Sequence, residues 1–182
     1  MTLGLESGIV RLVPYDPVWP ILFVAESERL QTLFTAAGLA VRLEHTGSTA
    51  VPGLAAKPIL DILGGYPEGL RVADYIDVLT SAGYIHRGEQ GIPGREFFRR
   101  GNPRSYHLHL TAIGSQFWRD HLAFRNLLRA DNFLRDAYGA LKQNMAARFP
   151  RDREAYIDAK GPFVKRALAI SAPEANPAGT SD

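Results

Sequence analysis

Two spacings of apolar side chains run through this chain, and the change from one to the other sets its organisation. Over residues 17–37, Ile21, Phe23, Val24, Leu30, Leu33 and Phe34 recur at roughly helical spacing, with Glu26, Glu28 and Arg29 mainly outside the stripe. This predicts a helix packed on a sheet. Asp16 is its expected N-cap, Pro17 its first helical position and Gly38 its stop. Short strands are expected over 9–13, 41–45 and 58–64. A helix follows from about 69 to 82, with Val72, Tyr75, Ile76 and Leu79 as its buried stripe, and strands are expected near 84–86 and 96–100.

Tyr106-His107-Leu108-His109-Leu110 alternates strictly, so Tyr106, Leu108 and Leu110 share one face of a strand and both histidines project from the other. From Gly114 onward the spacing is helical, over 115–130, 132–148 and 152–170. Mixed strands and helices followed by helices alone predict an α/β (α+β) fold, a mixed sheet flanked by helices with a helical C-terminal part. Residues 1–170 are expected to form one domain. The last residues, 171–182, carry Pro173, Pro177 and Gly179 but no large apolar side chain, and are expected to be a disordered tail.

Composition narrows the chemistry. The 182 residues, 46% hydrophobic and 22% charged, suffice for one core. The chain has no cysteine, so any metal must be held by His, carboxylate or carbonyl groups, and thiol enzymes are excluded. No long apolar run or leader-like N-terminus is readable, so no membrane span is expected and a cytoplasmic location is the default. The net charge is only +2, yet Arg95 to Arg153 holds eleven Arg and one Lys against five acids. That stretch is either an Arg-rich solvated surface or faces an anionic partner.

Residues 42–63 carry the candidate site. Gly47-Ser48 follows a strand-like run and offers small residues that let backbone and hydroxyl approach a phosphate. Lys57 adds a cation, and Asp61 lies within the apolar run Ile59-Leu60-Asp61-Ile62-Leu63. A carboxylate in a buried strand is costly unless it is paired, hydrogen-bonded or metal-bound. His107 and His109, two apart on one strand face, join Asp61 as a two-imidazole, one-carboxylate set suited to one divalent ion, with Mg, Mn and Zn left open. Ser48 and Thr49 are candidate phosphate contacts or simple turn caps. His45 is a further candidate, since only one of Glu44 and His45 can face the site. Arg99 and Arg100 point to opposite faces, so one of them can join, and Arg125 can reach inward from a helix. His121, between Phe117 and Phe124, reads as a core histidine. The pairs Tyr138/Lys142 and Tyr156/Lys160 read most simply as lysine stems packed over aromatic rings, with a substrate role as the alternative.

Taken together, Tyr15-Asp16-Pro17 with Trp19-Pro20, the run His45 to Pro58, Asp61-Ile62 and Tyr106-His107-Leu108-His109 closely resemble the GrpB family over nearly the whole chain except the tail. The resemblance implies a branch of the nucleotidyltransferase superfamily, with Gly47-Ser48 matching its Gly-Ser turn and Asp61 its first metal-binding carboxylate. It also implies a link to coenzyme A biosynthesis, since the family is sometimes fused to dephospho-CoA kinase. One departure stands out. The second acidic position, two residues after Asp61, is Leu63, and the third is taken by His107 or His109. Two Mg²⁺ ions want oxygen ligands, so either the metal has changed or the chemistry has been altered or lost.

Three functions are therefore expected to compete: a metal-dependent nucleotidyltransferase, a non-catalytic nucleotide- or coenzyme-binding module, and a small metal-dependent phosphoesterase. All three take a small phosphorylated ligand or nucleotide. Nucleic acid is disfavoured, because the basic stretch lacks interleaved surface aromatics.

Overall fold

The computed structural model describes residues 3–171, so the expected tail lies, but for the last helical residue, outside the described residues. The elements run α1 (Val18–Ala36), β1 (Arg42–Thr46), a 3-10 turn (Ser48–Ala50), β2 (Leu60–Tyr66), α2 (Val72–Ser81), β3 (Ile85–His86), β4 (Arg95–Arg100), β5 (Tyr106–Ala112), then α3 (Gln116–Ala130), α4 (Asn132–Arg148), α5 (Arg153–Asp158) and α6 (Gly161–Ser171). The five strands form one mixed sheet in the order β1-β2-β5-β4-β3, with β2 and β5 parallel and the other neighbours antiparallel. This is the expected mixed sheet with a helical C-terminal part. No helix among the described residues is long and apolar enough to cross a membrane.

Strand alternation assigns the two faces. Ile62, Leu108, Leu110 and Phe98 point to one side and pack with Leu30, Phe34, Tyr75 and Leu79 of α1 and α2. The other side carries α3. Its Trp118 lies so close over Gly65 that a Cβ there would come within 2.5 Å of the indole, which fixes why β2 has glycine at this point. The C-terminal helices build a second core, in which Leu128 and Tyr138 pack with Val51 and Leu54 of the segment after the 3-10 turn. Between these two packed regions the sheet face is left open.

Three expectations change. Residues 9–13 form no strand; Val13 makes an isolated bridge with Ala56. In α1 the buried set is Trp19, Glu26, Leu30 and Phe34, while Ile21 and Val24 are exposed. Glu26 is buried because Arg29, Arg100 and the Tyr84 hydroxyl all donate to its carboxylate, Arg100 from β4 and Tyr84 from the residue before β3. The helix expected over 152–170 is two helices, broken at Ala159–Lys160. Pro162 accounts for the break: inside a continuous helix it would lack the N–H owed to Asp158 and its ring would clash with that carbonyl, whereas the first turn of α6 tolerates it.

Candidate functional site

The open face is built around Asp61. On β2 it pairs with Thr46 of β1 on one side and His107 of β5 on the other. Just after Thr46, Gly47 adopts φ 68°, ψ −172° and carries the chain directly across the Asp61 side chain. A Cβ on Gly47 would lie 2.3 Å from Asp61 Oδ2. This backbone region is open essentially to glycine alone, so the Gly-Ser turn and the carboxylate are sterically matched.

His107 Nδ1 stands 3.2 Å from Asp61 Oδ1 and His109 Nε2 3.9 Å from the same oxygen. Burial alone would push the Asp61 carboxyl up, but donation from His107, with His109 behind it, outweighs that and holds it well below the usual carboxylate range. Both histidines titrate below their ordinary value, because burial outweighs the pull of Asp61. His107 is therefore a neutral donor to an ionised acid at neutral pH, with a neutral His109 standing 3.9 Å behind it. Arg95, always a donor, reaches His109 Nδ1 at 3.5 Å, which assigns the proton to Nε2, facing Asp61. His107 Nε2 is buried without a hydrogen-bond partner.

The cleft above these groups has a volume of about 470 Å³. Lys57, Arg95, Arg153 and Lys160 line it against only two acids, Asp61 and Glu154. A cavity of about 150 Å³ opens behind the Gly47–Ser48 turn, with Lys57, Lys142 and Lys160 in its wall. A third, largely apolar cavity of about 450 Å³ lies between α3, α4 and α6, bounded by Phe124, Leu128, Tyr138 and Val164. Gly47 and Lys160 border all three spaces.

The GrpB family profile matches residues 9–169, nearly the whole described chain. The chain belongs to the GrpB family. Among relatives, protein YqkA of Bacillus subtilis is 35% identical over 159 residues, covering 87% of this chain and 46% of YqkA. A dephospho-CoA kinase of Mycolicibacterium paratuberculosis is 32% identical over 195 residues, covering 91% of this chain and 47% of the kinase. The chain thus spans about half the length of these two relatives. Among solved structures, GrpB from Enterococcus faecalis matches with a TM-score of 0.76 and 33% identity, covering 88% of this chain and 96% of that one. Cid1, described for its RNA terminal uridylyl transferase activity, matches with a TM-score of 0.51 and 15% identity over 75% of this chain and 44% of Cid1. That likeness is one of fold, and the GrpB fold is accordingly nucleotidyltransferase-like.

Of the residues singled out in the sequence, Gly47, Ser48, Lys57, Asp61, His107 and His109 converge on the connected spaces around Asp61. Three others, His45, Arg100 and Arg125, are placed elsewhere, which corrects the expectation for each, while Thr49 stays at the edge of the small cavity. His45 points to the opposite sheet face, stacked on Phe23 at 4.8 Å, with Nε2 bonded to Thr49 Oγ1 at 3.0 Å. Thr49 is buried, and its hydroxyl is engaged there, although the residue borders the small cavity. Arg100 falls on the α1 face by strand parity, 2.7 Å from Glu26 and stacked over Tyr106. Arg125 is held by Glu44 and the His45 carbonyl and borders the apolar cavity instead. Arg99 pairs with His107 and shares its face, but its guanidinium lies over the Phe97 ring at 5.5 Å.

Several residues were missed. Arg95 and Arg153 carried no local signal beyond the general excess of arginine. His121 borders two of the cavities rather than sitting in the core, its Nδ1 bonded to the Phe117 carbonyl. The lysines 142 and 160 do pack over Tyr138 and Tyr156, at 5.2 and 4.1 Å, but their heads reach the cavities. Pro162 was the available signal for the turn that delivers Lys160.

The donor set does not fit a Mg²⁺ pair, as the departure at Leu63 implies. Such a pair needs clustered oxygen ligands, whereas Leu63 is fully buried on the same face and Asp61 is the one carboxylate beside the two imidazoles among the described residues. Among the described residues no group of three or more His, Cys, Asp or Glu side chains is arranged to hold an ion. Asp61, His107 and His109, expected as ligands of one divalent ion, come together as a carboxylate–imidazole cluster in which Asp61 accepts from His107 with His109 3.9 Å away.

Proposed function

We propose that this GrpB chain binds a small phosphorylated molecule, a nucleotide or a coenzyme-like compound, in the Asp61 cleft. The observation that carries this reading is the convergence of Lys57, Arg95, Arg153 and Lys160 from separate elements on a cleft with two acids. Such a cleft is electropositive in a low-dielectric surround and favours a polyanion. The Gly47–Ser48 turn brings backbone and hydroxyl to its edge, and Asp61 with its neutral imidazoles offers both acceptor and donor groups to a sugar or acceptor hydroxyl. The dephospho-CoA kinase relative makes coenzyme A and dephospho-coenzyme A the first compounds to try beside ATP, GTP, CTP and UTP.

Calorimetry and thermal shift with this panel test the reading, each compound with EDTA, Mg²⁺ and Mn²⁺. Saturable binding with a rise in melting temperature is expected, and EDTA should leave it intact because protein cations supply the charge. No heat and no shift with any compound refutes the reading. A catalytic reading is favoured by one observation, the ionised Asp61 beside two neutral imidazoles. Nucleotidyl transfer, or phosphate release from phosphoesters, that is lost in Asp61→Asn while binding persists would establish it; binding that requires Mg²⁺ or Mn²⁺ would restore a metal-dependent transferase.

A further inference from the structure

The small cavity behind the Gly47–Ser48 turn contains an unusual cluster. Lys142 on α4 is 1% exposed, and its ammonium contacts the Ala55 carbonyl and the face of Tyr138. Lys57, from the loop before β2, and Lys160, from the α5–α6 break, both lie over the Tyr156 ring, at 5.5 and 4.1 Å. None of the three has a carboxylate within ion-pair distance among the described residues. A buried lysine such as Lys142 is rare unless paired, and with the half-buried Lys57 and Lys160 from separate elements around one cavity the three ammonium groups repel one another.

We propose that this cavity is a terminal-phosphate subsite, in which Lys57, Lys142 and Lys160, with the Ser48 hydroxyl beside them, hold the dianionic end of a phosphate monoester or polyphosphate. This rests on the reading of the Asp61 cleft, which shares Gly47, Lys57, Asp61, His107 and Lys160 with the cavity and would hold the rest of the ligand. At about 150 Å³ the cavity admits a phosphate group but not a nucleoside. An ammonium offers three donors, and Lys142 spends one on the Ala55 carbonyl. Burial and the neighbouring lysines lower Lys142 and Lys160 to about 7. A phosphate entering between them would favour their charged forms. Asp61, His107, His109 and Arg104 on the sheet side, and Tyr138, Arg153, Glu154 and Tyr156 on the helical side, are titratable or charged groups around the cluster.

Lys142 borders this cavity and is absent from the Asp61 cleft, so it separates the two readings. The experiment is calorimetry of the full chain with ATP, pyrophosphate and adenosine near neutral pH, on the native chain, Lys142→Met and Lys142→Gln, with melting temperatures measured alongside. The native chain should bind ATP and pyrophosphate more tightly than adenosine. Lys142→Met should weaken both by about tenfold or more, the worth of one charged hydrogen bond, while melting no lower. Removing a buried cation that has no carboxylate offsets the loss of the donor to the Ala55 carbonyl. Lys142→Gln, which keeps a donor for Ala55, guards against misfolding of the first variant. ATP and pyrophosphate bound with unchanged affinity by either folded variant overturns the subsite alone; failure of the native chain to bind any phosphorylated compound brings down both readings.

Discussion

Replacing Gly47 by alanine tests whether the turn and the carboxylate are one unit. At φ 68°, ψ −172° an alanine is in a region that costs about 1–3 kcal/mol for a residue with a side chain. Its Cβ would also lie 2.3 Å from Asp61 Oδ2 and 2.9 Å from Asp61 Cβ, so Asp61 has to swing away and give up the donor at His107. A hydrogen bond to a charged group is worth about 1.5–3 kcal/mol, which brings the total to roughly 2.5–6 kcal/mol. For a chain of this length that is on the order of 10 °C in melting temperature. Gly53→Ala is the control: its φ is +79°, but the nearest atoms to its added Cβ are those of the Arg135 guanidinium, at 3.9 Å. It should cost only the conformational part, about 1–2 kcal/mol. Denaturant melts of both variants, and of Gly47→Ala combined with Asp61→Ala, measure the difference. The double variant should lose less than the sum of its parts, since the oxygen that clashes is gone. Equal losses for Gly47→Ala and Gly53→Ala, with additive behaviour at Asp61, would refute the steric coupling.

Stability should also depend on the lysine cluster through pH. Lys142 binds its proton at about 7 in the folded chain and near 10.5 when unfolded, so between those values the unfolded chain holds more protons and stability rises with pH. The slope of melting temperature from pH 7 to 9 should be positive and shallower in Lys142→Met; an unchanged slope would place the titration elsewhere. Gly65→Ala should destabilise by about 1–3 kcal/mol through displacement of Trp118, seen as a changed indole emission. Arg100→Met should cost about 1–2 kcal/mol, because Arg29 and Tyr84 still serve Glu26, and should leave ligand affinity untouched. A loss of affinity there would return Arg100 to the site.

Much of this arrangement was legible because strand periodicity is strict. The alternation of residues 106–110 put both histidines on one face, and the isolated acid in an apolar run marked Asp61 as engaged. What the pattern could not show was the phase of a helix whose buried face includes a carboxylate. Glu26 reads as solvent-facing until Arg100 and Tyr84 arrive from segments far along the chain. Nor could it choose between Arg99 and Arg100, since a one-residue shift in where β4 starts exchanges their faces. The lysine heads were hidden for a related reason: a long stem over an aromatic ring looks the same whether its ammonium ends in water or in a cavity.

The distribution of ion pairs separates structural cations from those at the cleft. Arg29 and Arg100 meet Glu26, Arg125 meets Glu44, and Arg42 meets the same Glu44 from the other side. Each of these cations fastens one element to another or steadies a strand. Around Asp61 the chain does the reverse: Lys57, Lys142 and Lys160 have rings and a carbonyl for company, and Arg95 meets the backbone carbonyls of Glu89 and Gln90 rather than a carboxylate. A sequence able to pair its cations elsewhere has left them unpaired here, on connected cavities. The folded chain alone gains nothing from that arrangement, since burying an unpaired cation is destabilising. It becomes favourable when an anion of matching size supplies the missing charge, which is the pattern expected of a binding site preorganised at some expense of stability.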